Sequence, residues 1–344
     1  MPPRKPAPNP HNRSASKGRK KRPHRRDTGL RAKWTGFRLF RDASGAPLKR
    51  YYNLDTLASA ANRLLREKRN FIVRAVQGVL GPAEVTSLEF ELARENNYRL
   101  VFRLEAGNAR RKQAQFAFVA AKHHENYSKV LATEHHNLRL LHERAPDHVV
   151  KPFAGGRIWL PPGRRKDRPR REVYAYLTQW LGGFHEVSLD SKGRLTAISQ
   201  RKKVYSKAQT EAIKAEAALA VLRSYDAESE TAMEIPQISS GDLMVTPPQK
   251  TEPRIKITGC RRLLKNATPA KLIHRIVSAE WETDEATFSL APEEPSVIAE
   301  AVHNALGRKT GRMWFQHYLH ALDQGRFKAH SALPREAVEA FASD

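Results

Sequence analysis

The spacing of apolar residues changes character twice along this chain. From Leu54 to about Arg69, and again from Asn70 to Leu80, they recur at helical intervals. Phe71, Val73, Val76, Val79 and Leu80 mark the second run, and Gly81–Pro82 ends it. At Val85 the period shortens. Val85–Leu92, Tyr98–Glu105 and Gln115–Lys122 predict three strands, joined by ENN and GNARRK. Such short polar joins suit antiparallel neighbours. Tyr127–Arg144 returns to helical spacing, with Val130, Leu131, Leu138 and Leu141 on one side, and stops before Pro146. Val149–Phe153, Arg157–Leu160 and Val173–Trp180 bring the extended segments to six and complete an antiparallel sheet of about five strands with one helix inserted after its third strand.

Beyond Gly182–Gly183 the pattern turns helical. Lys207–Ser224 is rich in Ala and Leu, and Ile235–Val245 with Arg254–Ile257 predicts a short β pair. Pro269–Ala279, Ser296–Leu306, Thr310–Gln324 and Pro334–Phe341 predict four further helices. A β-rich first half followed by an α-rich second half indicates an α+β protein of two lobes. The expected divisions are a disordered basic tail at 1–33, an N-terminal lobe at 34–181 and a helical C-terminal lobe at 182–344. Residues 34–53 alternate weakly around SGAP and read as a small hairpin or an extended arm.

Composition sharpens the first of those divisions. The 344 residues carry 61 Lys+Arg against 36 Asp+Glu, a formal charge of +25. Residues 1–33 hold twelve Lys and Arg against Asp27 alone, hence +11, with almost no large apolar side chain. Such a segment cannot offset its ordering entropy by burial. Its Arg19, Lys20, Lys21, Arg22, Arg25 and Arg26 attract polyanions through counterion release, so RNA or DNA is the expected partner. The alternatives are an acidic protein or membrane surface, or a solubilising tail with no specific partner. A second basic run, PPGRRKDRPRR at Pro161–Arg171, contains Arg164, Arg165 and Lys166 and reads as a loop between strands. It would meet the same polyanion or serve as a tolerated insertion. The single cysteine, Cys260, excludes an internal disulfide framework and a Cys-rich zinc module. No apolar run reaches the roughly 18 residues of a membrane-spanning helix, and no secretory leader is visible at the N-terminus. The expected setting is cytoplasmic, with association to a nucleoid or nucleus as the variant.

Three residues then fall into a telling order. FAFVAAK ends a strand on Lys122, Glu134 lies in the helix that follows, and SSGDLMV places Asp242 at a turn before a strand. The sequence of strand lysine, helix glutamate, Gly182–Glu186 connector, long helix, Gly-Asp and β hairpin resembles the protein-kinase-like fold. The aminoglycoside phosphotransferase and choline kinase branch is the most similar, over roughly 70–340. The resemblance implies a Lys122–Glu134 pair that holds nucleotide phosphates, a hinge at GGFHE and Asp242 as the base for a substrate hydroxyl. It implies ATP and Mg²⁺ as cofactors.

The departures bear on the metal. The branch writes HGDLHxxN, whereas here Ser240 stands for the histidine and Pro247 for the metal-binding asparagine. The later metal-binding aspartate falls near Thr258, no carboxylate occurs from Arg254 to Ala279, and the glycine-rich loop is replaced by ARENNYR. Mg²⁺ favours carboxylate oxygen, so its site is in doubt. Asp226, Glu228, Glu230 and Glu234 lie upstream as a relocated ligand supply. The adjacent pairs His123–His124 and His135–His136 diverge on a helix and read as solvated or partner-facing rather than metal-binding. Two functions follow. One is a catalytically impaired kinase-like scaffold with a nucleic-acid-binding arm and a protein partner; the other is an active phosphotransferase with non-standard metal ligands.

Overall fold

Alternating burial along the strands of the first half builds one continuous sheet. In the computed structural model the described residues are 30, 32–35, 54–67, 70–96, 98–122, 126–160, 171–198, 203–235, 241–249, 252–282, 287–289, 291–327 and 333–343. The sheet holds β1 (Lys33–Thr35), β2 (Val85–Glu95), β3 (Arg99–Asn108), β4 (Gln113–Ala121), β5 (Pro152–Trp159) and β6 (Glu172–Gln179) in the order β1-β2-β3-β4-β6-β5. Five of these strands pair antiparallel, as the short polar joins predict. The sixth, β1, adds parallel to β2 at the edge. Trp34 anchors it by stacking on Phe90 at 4.0 Å and standing edge-on to Phe102 and Phe118. Leu30 and Ala32 pack on the same core, and the Ala32 N–H donates to Asn62 Oδ1 at 3.0 Å. The packed chain therefore begins before the expected boundary at residue 33. The basic residues of 1–29 and 161–170, and residues 36–53 of the hairpin or arm expected over 34–53, lie outside the described residues. The two segments Val149–Phe153 and Arg157–Leu160 merge into β5, bent by a bulge between Pro152 and Gly155.

Three helices cover this sheet. They are α1 (Leu54–Leu65), α2 (Phe71–Leu80) and α3 (Tyr127–Arg144). Asn70 caps α2 by accepting from the Val73 N–H at 2.8 Å, so the expected helix start at Asn70 is its cap. α3 packs on β5 and β6 and inserts between the third and fourth antiparallel strands, as the pattern predicts.

The connector after Gly182–Gly183 does not turn helical at once. It forms β7 (His185–Leu189), β8 (Leu195–Ile198) and β9 (Lys203–Val204) before α4 (Lys207–Arg223). The signal was present in HEVSLDSKGRLTAI, two alternating runs about a polar turn whose Asp190 accepts from the Lys192 and Arg194 N–H groups. After β10 (Thr231–Met233) come β11 (Leu243–Val245) and β12 (Ile255–Ile257), the expected β pair. β11 also pairs with β7, making a second sheet ordered β12-β11-β7-β8-β9. β13 (Leu263–Lys265) pairs with β10, and α5 (Pro269–Val277) follows. A small hairpin, β14 (Glu280–Glu282) and β15 (Thr287–Ser289), precedes α6 (Pro295–Leu306), α7 (Arg308–Asp323) and α8 (Arg335–Ser343). Leu272, Ile273, Val302, Trp314, Phe315 and Tyr318 form a second core among these helices. The chain is thus α+β, with eight helices among the described residues. None of those helices is long and apolar enough to cross a membrane.

Candidate functional site

Glu134 occupies the apolar stripe of α3 that also carries Leu131, Leu138 and Leu141, so helical spacing alone carries its carboxylate inward. It is fully buried, and a bare carboxylate there would be costly. Arg99, 3 % exposed at the start of β3, answers it with Nη1 to Oε1 at 2.6 Å. The Tyr176 hydroxyl on β6 donates to Oε1 at 2.5 Å and the Tyr98 hydroxyl to Oε2 at 3.0 Å. Burial pushes both phenols well above their ordinary range, with the Glu134 charge adding to the rise, so they remain donors. Burial by itself would lower the Arg99 guanidinium, but Glu134 together with Tyr98, Tyr176 and Asp242 outweighs that and holds it well above its ordinary value.

Asp242 enters from the other half of the chain. Gly241, at φ +65°, turns the backbone into β11, a left-handed geometry that glycine adopts without strain. Asp242 Oδ1 lies 3.4 Å from Arg99 Nη2, and Oδ2 lies 3.1 Å from Arg261 Nη2. The Thr258 N–H donates to the Asp242 carbonyl at 2.8 Å, and its hydroxyl donates to the Gly241 carbonyl at 2.7 Å. A Cβ at Gly259 would overlap the Asp242 carboxylate, so the segment after β12 passes too close for a side chain. The guanidinium carbons of Arg99 and Arg261 sit 5.2 and 5.3 Å from the Tyr98 ring centroid. Around this knot, Asn137 of α3 donates to the Cys260 carbonyl at 3.0 Å, and burial pushes the Cys260 thiol up to about 12. Arg94 of β2 makes an ion pair with Glu186 of β7, a further tie between the sheets.

The expected partnership of Lys122 with Glu134 does not form. Lys122 follows the last residue of β4, and its N–H continues the ladder by donating to the Tyr98 carbonyl at 2.9 Å. Its ammonium lies 2.5 Å from Glu95 Oε1 at the end of β2 and 3.3 Å from the Asn96 carbonyl. The sheet itself explains the difference: Arg99 stands opposite Ala121 on the next strand and reaches Glu134, while Lys122 sits beside the β2–β3 turn. Glu134 and Asp242 do come together, through Arg99. Arg99, Tyr98, Tyr176 and Arg261 were not singled out from the sequence. Arg99 belongs to the alternate set with Val101 and Arg103, opposite buried Leu100, Phe102 and Leu104, so alternation places it outside. Contact with Glu134 of α3 and with Gly241 and Asp242 buries it.

A cleft of about 980 Å³ opens beside this knot. Lys129, Arg261, Arg262 and Arg275 line it with Asp242, Glu234 and Glu280, and Tyr98 and Tyr127 form part of its wall. Of the upstream carboxylates, Asp226 pairs with Arg144 at 2.7 Å, whereas Glu234 borders the cleft. Gly182–Gly183 is a turn, and the rest of GGFHE runs into β7. His123, His124 and Ser240 lie outside the described residues, as do Arg19, Lys20, Lys21, Arg22, Arg25, Arg26, Arg164, Arg165 and Lys166. His135 turns to Tyr174 and Tyr176, while His136 is exposed. Among the described residues no group of three or more His, Cys, Asp or Glu is placed to hold a metal. No protein-family profile matches this sequence, and no curated protein matches it.

Proposed function

We propose that this chain is a kinase-like scaffold with impaired phosphoryl transfer, joined to a basic arm that binds nucleic acid. The observation that carries the reading is the state of Asp242. Each of its carboxylate oxygens meets a guanidinium, Arg99 on one side and Arg261 on the other. A general base must offer a free lone pair within reach of the substrate proton. Here the carboxylate instead helps to neutralise Arg99, which Glu134 holds from the opposite side. The group resembles a structural latch between strand β3, helix α3 and the Gly-Asp turn.

The same residues do not fit Mg²⁺. A divalent ion at Asp242 would displace or repel two guanidinium groups, and Pro247 and Thr258 offer no carboxylate beside it. Phosphate oxygens fit better, since Lys129, Arg261, Arg262 and Arg275 border the cleft. One observation favours the other reading, an ATP-dependent phosphotransferase with relocated metal ligands: Glu234 and Glu280 share the cleft with Asp242. Thermal shift with ATP, with and without Mg²⁺, alongside an assay of ATP turnover, separates the two. The expected result is no Mg²⁺-dependent rise in melting temperature and no turnover. A Mg²⁺-dependent rise accompanied by turnover would replace the scaffold with the enzyme.

A further inference from the structure

We propose that a second cavity, on the side of α3 away from Glu134, binds single-stranded nucleic acid, with Arg74, Arg139 and Lys151 on phosphates and Phe153 and Tyr174 against bases. The inference rests on the nucleic-acid half of the reading above but uses none of the arm's residues. The cavity measures about 1130 Å³ and lies between α2, α3 and strands β4, β5 and β6. Among the described residues, no carboxylate lines it. Arg74 comes from α2, Arg139 from α3 and Lys151 from the residue just before β5, and all three are exposed. None of the three has an ion-pair partner among the described residues, whereas Arg99 and Arg261 beside Asp242 are paired. His136 adds a fourth basic side chain at the rim. Like charges gathered without counter-charge repel one another, and a polyanion relieves that repulsion.

The aromatic wall is held in position. The Tyr174 hydroxyl lies 2.9 Å from His135 Nδ1, and His135 stacks on Tyr176 at 5.0 Å. Phe153 stands edge-on to Phe116 at 5.3 Å, and Lys151 Nζ lies 5.9 Å from the centre of the Phe153 ring. Gly155 keeps the wall open: a Cβ there would come within 2.7 Å of both His135 Nδ1 and the Tyr174 hydroxyl. The bulge between Pro152 and Gly155 bends β5 at this point. Cations beside half-buried rings match a strand whose bases are free to stack, whereas a duplex hides its base faces. The cations stand on three separate elements, which suits the repeated phosphates of a backbone. A single phosphorylated side chain would be better served by a converging fork of guanidinium groups.

The test uses the full chain and fluorescence anisotropy with a labelled single-stranded RNA at several salt concentrations. Arg139→Glu with Lys151→Glu removes two phosphate contacts. Phe153→Leu removes one stacking ring without touching charge. Arg19→Gln, Lys20→Gln, Lys21→Gln and Arg22→Gln together weaken the arm. In the weakened-arm background the double reversal is expected to lower affinity at least tenfold and flatten the slope of log affinity on log salt by about 1.4. Phe153→Leu is expected to lower single-strand affinity about fivefold or more and to leave duplex affinity unchanged. Unchanged affinity and slope in the cavity variants would overturn the inference. The arm would still stand if its own variant weakens binding, and if no variant weakens binding both fall. A phosphothreonine peptide whose binding is lost in the double reversal, with RNA binding intact, would also overturn it in favour of phosphopeptide docking.

Discussion

Glu134 and Arg139 stand less than two turns apart on α3, yet their surroundings differ in kind. Toward β3 and the Gly-Asp turn, Glu134 finds a guanidinium and two phenols, and Arg99 finds two carboxylates. On the other side, Arg139 shares a cavity with Arg74, Lys151 and His136 and no acid. Charges that are buried and mutually satisfied are expensive to disturb and have little left for a ligand. Charges that are exposed and unpaired contribute little to the fold and remain available. Glu134 and Asp242, which the resemblance marks as chemical, thus sit in the region built like a structural latch, and the cavity lined by cations without a carboxylate among the described residues lies where the resemblance marks nothing.

The largest effect that would break this contrast is at Glu134. Glu134→Ala leaves Arg99 with one carboxylate fewer and strands the Tyr98 and Tyr176 hydroxyls in the core. Removing one partner of a buried pair costs about 3–5 kcal/mol. Urea denaturation followed by Trp fluorescence is expected to show a loss of that order. A loss below about 1 kcal/mol would mean that Arg99 reaches solvent and that the knot is not structural.

Asp242 sharpens the comparison, because the two readings predict opposite consequences there. Asp242→Asn keeps the shape and removes the charge between Arg99 and Arg261. As part of a latch it should destabilise the protein by roughly 1–3 kcal/mol, less than Glu134→Ala because Glu134 still neutralises Arg99. As a catalytic base it should leave stability unchanged or raised and abolish phosphoryl transfer. Paired denaturation curves and turnover assays distinguish these outcomes.

Much of the scaffold was legible in the sequence. Helix α3 has the same ends that its apolar spacing and Pro146 predict, and the β11–β12 pair falls where expected, because both depend on local pattern. The strands β7 and β8 were legible too, in alternation around an Asp turn, although Gly182–Gly183 before them reads as a hinge. The site was legible only in part. Glu134 betrays itself as an acid in an apolar stripe, since a charge placed inward demands a partner. Which cation supplies the partner depends on strand register and on the approach of the Gly-Asp turn, with Arg99 and Asp242 143 positions apart. No periodicity reports a contact at that range. The outward cavity was hidden for the same reason: Arg74, Arg139 and Lys151 each look like an ordinary solvated charge until three elements bring them together.

The smallest expected effect lies on that outward side. Arg139→Glu with Lys151→Glu changes the formal charge by −4 without breaking any ion pair among the described residues. Exposed substitutions of this sort usually alter stability by less than about 0.5 kcal/mol. The sign should be neutral to stabilising, since the new carboxylates stand near Arg74 and relieve a crowd of like charges. Denaturation at low and high salt checks it: any gain over the native chain should shrink as salt screens the repulsion that the substitutions remove. A loss above about 1.5 kcal/mol, insensitive to salt, would mean that these side chains support the packing of α2, α3 and β5. The outward charges would then be structural like the inward ones, and the contrast between the two sides of α3 would disappear.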